Sequence, residues 1–218
     1  MPITKATATK LALMSKGTYG QSGDVLDAYM WDRALIPATL GDMLLFRTPI
    51  GGQYGNGQKT LVETNLQQPG QFPASQNFLM EKIKPDFING EAYDATLQTV
   101  LVKALTLVMR NSVWSISVPN REYEWRMTGN VFLPAIFEQG PATSANQARV
   151  GDVNSHSWVN LLTPIPIGEL ITVTLTITIG SNTSDTTVMG RVLAALAVLH
   201  NNSCALGVEV RGTLARSK

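Results

Sequence analysis

The chain has a single cysteine, Cys204, and two histidines, His156 and His200, in 218 residues. One cysteine permits no intrachain disulfide and no cysteine-based zinc site. Charge is also scarce: Asp, Glu, Lys and Arg make up 15% of the chain, against about 25% in soluble domains. The formal net charge is +1, so the chain as a whole exerts no strong pull on nucleic acid or membrane. The opening residues, Met1-Pro2-Ile3-Thr4-Lys5, lack the apolar core of a secretory signal. The most apolar stretch, Trp158 to Ile179, is interrupted by Pro164, Pro166, Gly168 and Glu169 and laced with threonines. It does not make the roughly 20 predominantly apolar residues of a membrane-spanning helix.

Groups that could carry chemistry are equally thin. Gly52 to Thr60 (GQYGNGQKT) comes close to a phosphate-binding loop, but Gln58 separates Gly57 from Lys59, where that motif needs Gly-Lys in sequence. The segment after it carries Asn65, Pro69, Gly70 and Pro73 instead of the required helix. His156 lies near Asp152, Ser155 and Ser157, too local a group to build a rigid relay, and no Gly-x-Ser-x-Gly elbow exists. Glu122 and Glu124 would share one face of a strand, as an acid pair for glycoside hydrolysis must. They alternate with Arg121, Tyr123, Trp125 and Arg126, which reads better as an interface strand with ion pairs. Arg121, Tyr123, Trp125 and Arg126 are therefore the candidate interface residues. The four tryptophans, Trp31, Trp114, Trp125 and Trp158, are dispersed as core and interface anchors would be. The chain is expected to be no enzyme and to hold no cofactor or metal.

What is present is β patterning. Ile171 to Ile179 (ITVTLTITI) alternates apolar residues with threonine in strict period two, which specifies a strand with one face in a core. Further strands are expected at Asp42 to Ile50, Phe78 to Phe87, Asn130 to Phe137, Trp158 to Leu162, Val188 to Leu199 and Val208 to Leu214. Pro85 would place its part of the second of these at a sheet edge or bulge. Leu105 to Met109 and Val113 to Val118 read as a hairpin about Arg110-Asn111-Ser112. Val188 to Leu199 is ambiguous because its alanines favour helix, and the flanking Gly190 and His200-Asn201-Asn202 incline the reading to strand. One helix is expected at Glu91 to Ala104, where Tyr93, Leu97, Val100, Leu101 and Ala104 follow helical spacing. Turn-rich stretches lie at 51–59, 67–76 and 138–157. Many strands, long loops and one short helix describe an all-β, two-sheet antiparallel sandwich. Residues 1–35 are expected to form an N-terminal arm anchored by Trp31, and residues 36–218 a single domain.

This order of elements resembles the jelly-roll coat (capsid) proteins of tailless icosahedral viruses, bacteriophages included. The resemblance rests on an arm followed by Leu44-Leu45-Phe46-Arg47-Thr48-Pro49-Ile50-Gly51, then Lys59 to Leu66, a Pro/Gly loop and Asn77 to Ile83. It continues through the helix, the hairpin and the 138–157 loop to Leu162-Thr163-Pro164-Ile165-Pro166-Ile167, the threonine-rich strand and a last strand ending Glu209-Val210-Arg211-Gly212. It spans about residues 40–218. It implies a jelly-roll capsid subunit that assembles with itself, commonly as trimers and with other capsid proteins, into an icosahedral shell around a genome. Its place would be the virion, assembled in the host cytoplasm. The family has no catalytic residues to transfer. Weak nucleic-acid contact would fall to the basic termini, Lys5, Lys10 and Lys16 at one end and Arg211, Arg216 and Lys218 at the other. Contact with an internal membrane stays open. The alternative is a jelly-roll module, spike-like or lectin-like, that binds carbohydrate or a receptor through an aromatic cluster at Tyr123 and Trp125.

Overall fold

A computed structural model describes residues 24–72, 76–88, 95–119, 124–132, 137–139, 148–150, 158–168, 171–180 and 185–216. Within them lie two four-stranded antiparallel sheets. The first runs β1 (Asp24–Leu35), β12 (Ala205–Arg216), β5 (Gln76–Ile88), β10 (Val159–Ile167). The second runs β2 (Gly41–Leu45), β11 (Thr174–Ile179), β6 (Ser112–Ser117), β7 (Glu124–Thr128). Two small hairpins, β3 (Gln53–Tyr54) with β4 (Gly57–Gln58) and β8 (Phe137–Gln139) with β9 (Ala148–Val150), stand outside them.

The core lies between the sheets. Alternation along each strand sends one set of side chains inward. Sheet one contributes Met30, Phe78, Met80, Ile83, Val208 and Val210, and sheet two contributes Met43, Leu45, Trp114, Ile116, Leu175 and Ile177. The threonine-rich strand behaves as its pattern requires, with Leu175, Ile177 and Ile179 buried and Thr174, Thr176 and Thr178 half-buried on the other face. Pro85 sits beyond the reach of β10, whose pairing with β5 stops at Ile83, so its missing N–H breaks no bond there. A register shift between Arg211 and Gly212 bends the central pairing of β12 with β5.

Several expectations are corrected. Residues 24–35 are not arm: they form β1 and pair with β12 over their whole length, while 1–23 lie outside the described residues. Val188 to Leu199 is not a strand but part of helix α2 (Thr186–Asn201). Its apolar residues Val192, Ala195, Leu196 and Leu199 are buried at spacing i, i+3, i+4, i+7, and its N-cap Asp185 accepts from the N–H groups of Thr187 and Val188 at 2.8 and 3.3 Å. Alanine's helix propensity and this cap outweigh the local glycine and asparagines. The expected hairpin at 105–118 is a helix followed by a strand. Helix α1 (Ala95–Arg110) extends the apolar spacing through Leu105, Val108 and Met109. It stops where Asn111 and Ser112 return hydrogen bonds to the carbonyls of Leu107 and Met109. Among the described residues the sandwich thus carries two 16-residue helices rather than one short one. Asn130 to Phe132 belongs to a 3-10 turn, Gly129–Phe132, which sets Phe132 on Trp114 at 4.6 Å. Strand β2 ends at Leu45, because Phe46 turns to φ 64. Within the expected loop at 138–157, β8 pairs with β9.

Both helices close the same end of the sandwich. Strands β1 and β5 arrive there side by side with the start of β12, as Leu35 and Ile88 both pair with Ala205. Helices α1 and α2 pack on each other at this end, and α1 also lies against β9. His200 ties α2 to the β1–β2 connection, its Nδ1 lying 2.8 Å from the Ile36 carbonyl.

Candidate functional site

The two outer sheet faces differ in chemistry. On sheet two the cross-strand rows that span all four strands are Leu44–Thr176–Ser115–Arg126 and Asp42–Thr178–Val113–Thr128, and a shorter row, Thr174–Ser117–Glu124, lies beside them. Among the described side chains of those rows only Asp42 and Arg126 are charged, and they stand on the outermost strands. The centre is threonine, serine and valine, neutral side chains that cost far less than charges to take out of water.

Sheet one carries charge. Lys84 of β5 meets Glu209 of β12 at 3.0 Å, and Arg211 of β12 meets Asp27 of β1 at 3.3 Å. Arg33 of β1 bonds Asp86 of β5 across the intervening β12. Gly207 makes that reach possible, since a Cβ there would lie 2.5 Å from Arg33 Cγ and 2.6 Å from the Asp32 carbonyl oxygen. Tyr29 and Trp158 lie among these charges, their ring centroids 6.3 Å apart, with Arg211 over the first and Lys84 over the second at 5.5 Å.

The segment from Phe46 to Phe72 closes the outer edge of β1. Asn65 and Thr64 donate to the Trp31 carbonyl, Trp31 N–H donates to Asn65 Oδ1 at 3.0 Å, and Asn65 Nδ2 donates to the Tyr29 carbonyl at 2.8 Å. A covered edge cannot recruit a stray strand. A buried ion pair pins this segment. Asp32 is 0% exposed and Lys59 4%, and Lys59 Nζ bonds Asp32 Oδ1 directly. The other carboxylate oxygen accepts from Phe46 N–H at 2.6 Å. Desolvation pushes the Asp32 carboxyl above the ordinary aspartate range despite Lys59 and the Phe46 amide, which pull the other way. Lys59 also stands 5.9 Å from the centre of the Tyr54 ring, whose phenol is pushed up to about 12, first by burial and then by the charge of Glu63. Hydrogen bonds from Thr60 hold Glu63 below its usual range.

Where this segment leaves β1, a cavity of about 320 Å³ opens among Tyr29, Gln67, Gln68, Gln71, Phe72 and Gln76. Among its described lining residues none is Asp, Glu, Lys, Arg or His.

The residues singled out from sequence do not gather into one patch. Arg121 and Tyr123 lie outside the described residues, as do Glu122, His156, Asp152 and Ser155. Trp125 and Arg126 are adjacent in β7 and therefore face opposite ways. Trp125 pairs with buried Ile116 and packs against the core, while Arg126 is exposed on the outer face. The near-phosphate loop is a β3–β4 hairpin whose lysine is committed to Asp32, so no ammonium is left to meet a phosphate. Among the described residues no group of three His, Cys, Asp or Glu could hold a metal ion, and no helix is long and apolar enough to cross a membrane. Asp32 was the readable signal passed over: it shares the inward parity of Met30 and Ala34 in β1, where an acid needs a buried partner. The cavity had a partial signal, since its carboxamides all stand within residues 65–76, a glutamine-rich stretch; what the sequence did not show is that Tyr29 of β1 and Leu214 of β12 close the space beside them. Compared with family models, curated proteins and solved structures, the chain matches none.

Proposed function

We propose that this chain is a jelly-roll protein and the repeating subunit of a self-assembling viral shell. The nesting of strand pairs carries the reading. Numbered in chain order, the eight strands of the two sheets pair first with eighth (β1, β12), second with seventh (β2, β11), third with sixth (β5, β10) and fourth with fifth (β6, β7). Alternate pairs fall in alternate sheets. A long antiparallel ribbon wrapped in this way is a jelly roll, an architecture shared by viral coat proteins and lectins.

Between those two uses, the surface favours the coat. The neutral centre of sheet two suits burial against a sibling, and many weak copies of one contact sum across a closed lattice. A genome-enclosing shell also asks for no catalytic group. The lectin-like alternative placed an aromatic platform at Tyr123 and Trp125, and the inward packing of Trp125 removes half of it.

Light scattering and negative-stain electron microscopy of the full chain test the proposal. The expected products are defined trimers or closed particles, and Thr176→Lys, which sets a charge at the centre of the neutral face, should convert them to protomers with an unchanged melting temperature. A protein that stays monomeric at high concentration overturns the reading.

A further inference from the structure

The cavity beside β1 is a second surface with its own chemistry. It combines carboxamides (Asn65, Gln67, Gln68, Gln71, Gln76) with an apolar floor that includes Phe72 and Phe78. We infer that it binds a neutral polyhydroxylated ligand, a sugar of one or two rings. The volume, about 320 Å³, lies at the small end of ligand clefts, which run from about 300 to 1,000 Å³. Each carboxamide offers both donors and an acceptor, and so does each sugar hydroxyl; ionised side chains offer only one of the two. None of the described lining residues is charged, in contrast to the face of sheet one, and among them an ionic ligand meets no counter-charge. Arg211, which lies over the Tyr29 ring, is paired with Asp27 and is not among the described lining residues.

Part of the site is already held in place. Both ends of the Asn65 amide are bonded to β1 backbone, and Gln71 Nε2 donates to Thr172 Oγ1 at 3.0 Å, which leaves the Gln71 carbonyl oxygen as a fixed acceptor. Phe72 stacks on Phe78 with centroids 5.0 Å apart and planes 20° from parallel. Phe78 is fully buried, so the stack fixes the half-buried Phe72 ring as the aromatic wall for the C–H face of a pyranose, and Tyr29, 48% exposed, stands at the rim. Fixed polar groups beside a fixed apolar wall lower the ordering cost of binding.

The test is a glycan array carrying neutral, sialylated and sulfated glycans, probed with the full-length protein, followed by titration of the best neutral glycan. The expected result is binding to a neutral glycan that added salt up to about 0.5 M leaves unchanged, because no ion pair is screened. The double variant Gln68→Ala/Gln76→Ala should weaken it about tenfold or more, the scale of one or two lost hydrogen bonds, with no change in melting temperature. The inference is overturned if no glycan binds, if only anionic glycans bind and salt releases them, or if the double variant binds as tightly as the parent. Particles that bind no sugar would leave the coat proposal standing, and a sugar-binding monomer would leave this one standing.

Discussion

Replacing Lys59 with methionine removes an ammonium from a site with almost no access to water and keeps the bulk of the side chain. Asp32 would then keep its charge with only the Phe46 amide and Thr64 as partners. Deleting one member of a buried pair costs about 3–5 kcal/mol, chiefly because the survivor stays desolvated. In a domain of this length 1 kcal/mol moves the melting temperature by about 2–4 °C, so a fall of roughly 6–20 °C is expected by calorimetry. The deficit should also depend on pH. The folded Asp32 carboxyl already lies above its unfolded value of 3.8, so the native state binds the proton more tightly than the unfolded state does. Asp32 therefore weighs against folding above its folded pKa, and the burden lifts as pH falls through that value toward 3.8. Without Lys59 the folded pKa climbs further, and Lys59→Met should lose least in acid and most at neutral pH. The double variant Asp32→Asn/Lys59→Met should be less destabilised than the two single losses added together, since it leaves no lone charge. A melting temperature for Lys59→Met within about 2 °C of the parent, or strict additivity in the cycle, would refute the account of this pair.

Three further outcomes follow from the same geometry. Asp185→Ala removes the acceptor for two N–H groups at the start of α2 and should cost about 1 kcal/mol in denaturant unfolding. Gly207→Ala places a methyl group against Arg33 and the Asp32 carbonyl oxygen. It should cost about 1–3 kcal/mol, and Asp86→Ala in that background should cost less than in the parent because the Arg33–Asp86 bond is already disturbed. An alkaline absorbance titration should find one of the five tyrosines, Tyr54, ionising near 12; since the unfolded phenol ionises near 10, stability should fall with rising pH across that interval, and Tyr54→Phe should abolish the late step.

The alternation at 171–179 was legible because a strand's period is local: neighbouring residues alone decide which face each side chain takes. The inward set of β5 was not, because the register shift opposite Arg211 and Gly212 brings Phe78, Met80 and Ile83 into one core despite their spacing. Helix α2 was misread although its cap Asp185 and its spacing at 192, 195, 196 and 199 stand in the sequence. A run of Val, Leu and Ala satisfies either period until a partner is present, and that partner, α1, lies about eighty residues earlier. The Gly52–Lys59 stretch was rightly taken as a connection between strands, but nothing within it says that its lysine crosses to an aspartate in β1.

The residues by themselves determined the class: many short antiparallel strands and little charge. Tertiary structure alone decided which strands nest with which, that buried Asp32 of β1 finds Lys59 beside a distant hairpin, and that Trp125 turns inward while Arg126 turns out. The reason is physical. Periodicity and propensity are written over a few residues, whereas pairing, burial and pockets are settled by segments that become neighbours only after the chain has closed loops of tens to more than a hundred residues.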